Sequence, residues 1–170
     1  MRKSLSERQE EMREAFDRSF ERPGLADGGR ADDYLMLRVG SDPFAVRVPE
    51  VAHVARATDL CRIPSRQPLF VGVTSFRGVS VPVFRLSGFL GYAAPDRPPT
   101  WILLADSRDL VGLAVDGIEG CARIRQEAGS IEDAAGSSAF VKHAVRAGGI
   151  LRPIVDLQAL AASIKGRPSS

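Results

Sequence analysis

The sequence predicts an all-β protein, built as two small barrels with a helix at each end. Three observations carry that expectation. Val71 to Leu86 alternate with a period of two around Arg77-Gly78, the pattern of a β-hairpin. The pattern of Tyr34 to Leu86 recurs over Trp101 to Leu157, so a five-strand unit occurs twice. Helical periodicity is confined to the first 22 residues and to Leu157–Lys165. At 170 residues the chain is large enough for one domain, or for two small subdomains sharing a core.

The N-terminal segment is the most helical. Ser4-Leu5-Ser6-Glu7 has the form of a capping box, with Ser4 as N-cap and Glu7 reaching back. Met12, Ala15, Phe16, Ser19 and Phe20 then share one helical face, and Glu14 can pair with Arg18. That apolar stripe needs a cover. Either it packs on the chain's own domain, or it docks a partner through Met12, Phe16 and Phe20. Pro23-Gly24 ends the helix, and the polar, glycine-containing Leu25–Asp33 reads as a flexible linker.

Strands begin at Tyr34. Tyr34–Val39 is the first, and Gly40-Ser41-Asp42-Pro43 supplies turn chemistry. Phe44, Val46 and Val48 alternate with Ala45 and Arg47 in the second strand, and Val51–Ala57 resumes as a third. Pro64 and Pro68 bracket a loop. The hairpin follows, with Gly78 supplying a positive φ and Arg77 lifted to its rim. Pro82 cannot donate to a ladder, which places it at an edge, a bulge or a strand end. Leu86–Gly91 forms one helical turn, and Ala93–Thr100 is a proline-rich connector.

The second copy matches the first in register without a gap over its early strands. Trp101–Ala105 falls on Tyr34–Arg38, Val111–Val115 on Phe44–Val48, and Cys121 on Val54. Cys121 is therefore expected to be a small core residue. After a longer loop, Ala147–Leu157 falls on Phe76–Leu86, with Pro153 on Pro82. Asp156 then caps a closing helix whose buried stripe is Leu157, Leu160, Ala161 and Ile164. Short strands closing into barrels would leave no exposed edges.

Composition excludes several classes. A net charge of +2, with bases scattered among acids, argues for neither nucleic acid nor an anionic membrane surface. No run approaches the roughly 18 apolar residues of a membrane span. The two cysteines, Cys61 and Cys121, have no close spacing, and the charged N-terminus is not a secretory signal. The expectation is a cytoplasmic protein with reduced thiols. His53 and His143 occupy non-equivalent positions, and no HExxH, CxxC or P-loop occurs. Asp106, Asp109 and Asp116 could be drawn as a metal cluster, but aspartates around a turn have backbone reasons to be there. No catalytic residue, metal or cofactor is expected. A ligand sensor with a pocket between the barrels is the competing class, and it would need a convergent polar set that the sequence does not show.

The hairpin also resembles the signature of the CheW-like domain family. Gly72, Val73, Arg77, Gly78, Val81, Pro82, Val83 and Leu86 fit a Gly-Val-x-x-x-Arg-Gly strand and turn, followed by an apolar strand with an internal proline. Val115-Asp116-Gly117 and Pro153-Ile154-Val155-Asp156-Leu157 add to the match. One position departs from the pattern: the family usually has Asp where this chain has Arg85. The resemblance spans residues 33–165. It leaves 1–32 as helix and linker and 166–170 as a disordered tail. It implies two five-stranded SH3-like barrels side by side. It also implies a non-catalytic adaptor between the cytoplasmic tip of a chemoreceptor and the regulatory domain of a CheA-type histidine kinase, recruited to membrane-associated receptor arrays. Carried over, the receptor-binding residues are Val51, His53, Val54, Gly72, Arg77 and Gly78, while the kinase-binding residues stay unassigned. With Arg85 and an extra N-terminal helix, the chain also fits a divergent adaptor serving an output other than swimming.

Overall fold

Successive residues of the central strands point to opposite faces and so join different cores, three in all. The computed structural model describes residues 31–93, 97–105, 110–125, 131–133 and 138–166. The expected helix over 1–22, the linker up to residue 30, the turn with Asp106 and Asp109, and the tail after Gly166 lie outside them, while Ala31, Asp32 and Asp33, expected in the linker, already belong to the first strand.

The first copy contributes β1 (Ala31–Val39), β2 (Asp42–Arg47), β3 (Val51–Arg56), β4 (Phe70–Phe76) and β5 (Val79–Arg85). A four-residue helix, α1 (Leu86–Phe89), follows. The second contributes β6 (Trp101–Ala105), β7 (Val111–Val115), β8 (Gly117–Arg125), β10 (Val141–Ala147) and β11 (Ile150–Val155), then helix α2 (Leu157–Lys165). A three-residue strand, β9 (Ile131–Asp133), lies in the longer loop of the second copy and was not expected.

Neither copy closes on itself. One sheet has the order β8-β1-β2-β11-β10-β9, and the other β3-β6-β7-β5-β4. Each therefore joins the first two strands of one copy to the last three of the other. Replacing each strand by its counterpart turns one order into the other, apart from the added β9. These are the two five-stranded SH3-like barrels, called here barrel I (with β1 and β2) and barrel II (with β3, β4 and β5).

The gapless register needs one correction. In barrel I, Leu35 pairs with Cys121, while in barrel II Leu103 pairs with Val54. Leu103 is thus the counterpart of Leu35, one position beyond the gapless match. Leu35, Leu37, Leu103 and Ala105 all face the shared core, whereas Tyr34, Met36, Ile102 and Leu104 face the interior of their own barrel. A one-residue slip exchanges the two faces of a strand. The slip is a one-residue shortening between paired positions: Leu35 pairs with Val46, whereas Leu103 pairs with Leu113.

The shared core holds Leu37, Phe44, Leu103, Leu113 and Val155 with Leu157, Leu160 and Ala161 of α2. All five residues of β7 are buried, as expected of a strand covered on both faces. Pro82 is not at an edge, because β5 lies between β7 and β4. Opposite it, Val73 turns its N–H and C=O outward to Cys61, at 2.9 and 2.8 Å. The Val73–Pro82 pair is therefore a non-hydrogen-bonded one, and β4 asks nothing of the proline nitrogen. The parallel ladder with β7 starts only at Val83. Cys121 is exposed rather than buried, because β8 is the outer strand of barrel I.

Candidate functional site

The Arg77-Gly78 turn has φ of +50° and +77°, the left-handed pair of a type I′ hairpin. Its counterpart in the second copy is Gly148-Gly149, with φ of +58° and +80°. Both hairpins thus have the same turn, and only the first places a side chain in it. A non-glycine residue in this region costs about 1 kcal/mol. No contact of the fold demands Arg77: it is exposed, and its guanidinium lies 5.1 Å from the centre of the Phe76 ring.

Phe76 in turn stacks on His53, with ring centres 4.7 Å apart and planes 34° from parallel. His53 belongs to β3 and Phe76 to β4, the two outer strands of barrel II. The ring contact therefore bridges the two sheet edges and closes the barrel at the point where Arg77 emerges. His53, Phe76 and Arg77 form one continuous stack. Phe76 was not singled out from the sequence. Its signal was an aromatic ring on the last strand position before the turn, where it reaches across the seam.

The remaining residues of the expected set divide. Val51 and Val54 are half-buried and pack against the shared core, on the opposite face of β3 from His53. A β-bulge between Val51 and His53 produces this split. Gly78 sits in open space and serves by its backbone angle alone. Gly72 has a packing reason: a Cβ there would lie 2.1 Å from the carbonyl oxygen of Cys61, which pairs with Val73. Gly72 thus shapes the surface from beneath without presenting a group to it.

Other polar clusters serve the fold. Glu50 Oε2 accepts from the Leu157 N–H at 3.0 Å, and Asp156 Oδ1 accepts from the Ala159 N–H at 2.8 Å. Together they satisfy two of the free donors that begin α2. Burial holds the Glu50 carboxyl above its usual pKa, against the lowering effect of the Leu157 N–H. Glu119 bridges Arg38 and the buried Arg152, each at 2.6 Å, and the Arg38 hydrogen bond foremost keeps its pKa low. A cleft of about 130 Å³ lies between Arg47, Glu50, His143, Ile154 and Asp156. That is well below the roughly 300 Å³ at which ligand pockets begin, and two of its acids are occupied as helix caps. Among the described residues, no three His, Cys, Asp or Glu side chains are grouped to hold a metal ion.

The family model described as the CheW-like domain matches residues 33–165. The chain belongs to the CheW-like domain family. The crystal structure of the scaffolding protein TtCheW from Thermoanaerobacter tengcongensis has the same fold. The TM-score is 0.63 at 18% identity, covering 74% of this chain and 89% of that one. Curated proteins give no match. Within this CheW-like domain the departure at Arg85 can now be read from the second copy. Its counterpart is Asp156, which caps α2, whereas Arg85 gives α1 no side-chain cap. The helix after Arg85 lasts four residues, and the one after Asp156 lasts nine. Among the described residues, no helix is long and apolar enough to cross a membrane.

Proposed function

We propose that this protein is an adaptor coupling the cytoplasmic tip of a chemoreceptor to the regulatory domain of a CheA-type histidine kinase, and that the receptor rests on the seam of barrel II. The observation that carries this reading is Arg77. It occupies a left-handed position that the equivalent hairpin gives to Gly148, and strain kept where the fold gains nothing points to a function. Arg77 and His53 stand on one face of the seam, and Val51 and Val54 supply apolar contact on the other. Gly72 and Gly78 set the path of the hairpin. A helical hairpin would lie along β3 and the β4–β5 turn, with the arginine as its charged anchor. Transmission needs no chemistry at this site, only a difference in affinity between receptor states. The kinase domain would meet a barrel end, and recruitment to receptor arrays follows from holding both partners.

The test is a titration against a receptor's cytoplasmic fragment, with Arg77→Glu and Arg77→Gly beside the parent. Both variants keep the hairpin, as judged by circular dichroism. Loss of at least tenfold in affinity for Arg77→Glu, and a smaller loss for Arg77→Gly, is the expected result. Equal binding by all three proteins would remove the receptor from this seam.

A further inference from the structure

The near-neutral total conceals an uneven distribution of charge. Between residues 51 and 100 the sequence has six arginines, Arg56, Arg62, Arg66, Arg77, Arg85 and Arg97, and only two acids, Asp59 and Asp96. Because the whole chain carries +2, the remainder is net negative. Most of this local excess is uncompensated. Arg97 lies 3.8 Å from Asp116. Among the described residues, the other five arginines have no carboxylate within ion-pair reach.

Two of these cations are held on aromatic rings. Arg77 lies over Phe76, as described above. Arg56, at the end of β3, lies over the Trp101 ring at 3.9 Å, directly across the β3–β6 ladder. Trp101 packs on the shared core, and His53 sits on the other face of β3. β3 therefore carries one arginine–aromatic platform through Arg56 and meets the second, Arg77 on Phe76, through His53. A guanidinium resting on an aromatic ring is restrained, so less freedom is lost when a carboxylate meets it.

We infer that the seam of barrel II is built for an acidic helix, and that Arg56 on Trp101 is a second anchor beside Arg77. The inference rests on the adaptor reading for its occupant, a helical receptor tip, and adds the requirement that the tip present carboxylates to both platforms. Nucleic acid is the less favoured occupant. Among the described residues, five arginines without a carboxylate partner fall short of the roughly six to ten phosphate contacts of a strongly salt-dependent site, and the rest of the chain adds no net positive charge.

Trp101 is the only tryptophan in the chain, so its emission reports on the second platform directly. The probes are a Glu-rich helical peptide, the same peptide with Gln in place of Glu, and a 20-base-pair DNA duplex. A receptor's cytoplasmic fragment is titrated in parallel. The Glu peptide should change Trp101 emission, the Gln peptide should not, and the change should fade as salt is raised from about 50 to 500 mM. Arg56→Gln should weaken the receptor fragment about fivefold and flatten its salt dependence, with Arg56→Lys intermediate. If the fragment binds but Arg56→Gln leaves affinity and salt slope unchanged, the second anchor falls and the adaptor reading stands. If the fragment does not bind while the Glu peptide still changes the emission, the adaptor reading falls and the acidic specificity stands. Equal response to both peptides, or a stronger response to DNA, overturns the inference.

Discussion

Arg77 and Gly72 are neighbours in the same hairpin, yet they belong to different physical problems. Arg77 is strained and free of contacts that the fold needs. Arg77→Gly should therefore leave stability unchanged or raise it by up to about 1 kcal/mol, while weakening the receptor interaction. Urea unfolding beside the binding titration measures both, and a destabilised Arg77→Gly would show that the arginine serves the hairpin itself. Gly72 behaves in the opposite way. Its φ of +153° and the Cys61 carbonyl leave no room for a methyl group. Gly72→Ala should cost on the order of 3 kcal/mol and detach the 61–69 segment from β4. A loss of binding in Gly72→Ala would then follow from a changed surface and not from a lost contact. The sequence pattern named both residues because both are fixed in position, but spacing alone carries no information on which is fixed by packing. Phe76 was missed for a related reason. Its role depends on His53, 23 residues earlier in the chain, and that neighbourhood exists only once the barrel has closed.

Among the elements, the two helices that follow β5 and β11 form an internal comparison. α2 is nine residues long, begins under Asp156 and Glu50, and buries Leu157, Leu160 and Ala161. α1 begins after Arg85 without a side-chain cap and lasts four residues. Asp156→Ala should cost about 1 kcal/mol, and Arg85→Asp should return part of that amount to α1. The Asp156 cap was legible because it is local, three residues from the amide it accepts from. Glu50 was not, since it caps the same helix from 107 residues away. Its buried carboxyl also sets a pH dependence. The folded state raises the Glu50 pKa, so this residue's contribution to stability is fully present below the unfolded value of about 4.5 and is lost as pH rises through the raised one. Glu50→Gln keeps an acceptor for the Leu157 N–H and removes the charge. It should flatten the fall in stability between mildly acidic and neutral pH, read from urea midpoints across that range. Glu119 acts in the opposite sense. Its pKa is lowered, so its contribution is present above the unfolded value and lost as pH falls through the folded one. A Glu50→Gln variant whose profile matches the parent would mean that the buried carboxyl is neutralised by another route.

At the scale of the molecule, the duplication was legible and its consequence was not. Period-two alternation, the paired prolines and the repeated order of strands all reside in the sequence, and they identified five strands in each copy. Which strands would pair was not accessible to the same reasoning. Each copy carries an equally good partner for β1–β2 or for β6–β7 in itself and in the other copy. The choice is made by the shared core, where Leu35 and Leu37 meet Leu103, Leu113 and α2 from both sides. The slip of one residue between β1 and β6 shows how fine that choice is, since it alone decides which face enters the shared core. Exchange of strands makes the barrels interdependent. Barrel I requires β1 and β2 from before residue 50 together with β8 to β11, and barrel II requires β3 to β5 together with β6 and β7. Unfolding should accordingly be a single transition, with Trp101 emission and far-ultraviolet circular dichroism coincident in urea. The stronger test divides the chain within the connector, into residues 1–95 and 96–170. Each fragment alone holds five or six strands yet lacks part of both sheets, so neither should fold. Mixed at equal concentration, they should recover the β-sheet spectrum and the parent Trp101 emission, because the shared core is completed only by the two together. Independent folding of either fragment would show that a copy can close on itself, and that the exchange is one of two packings open to the same sequence.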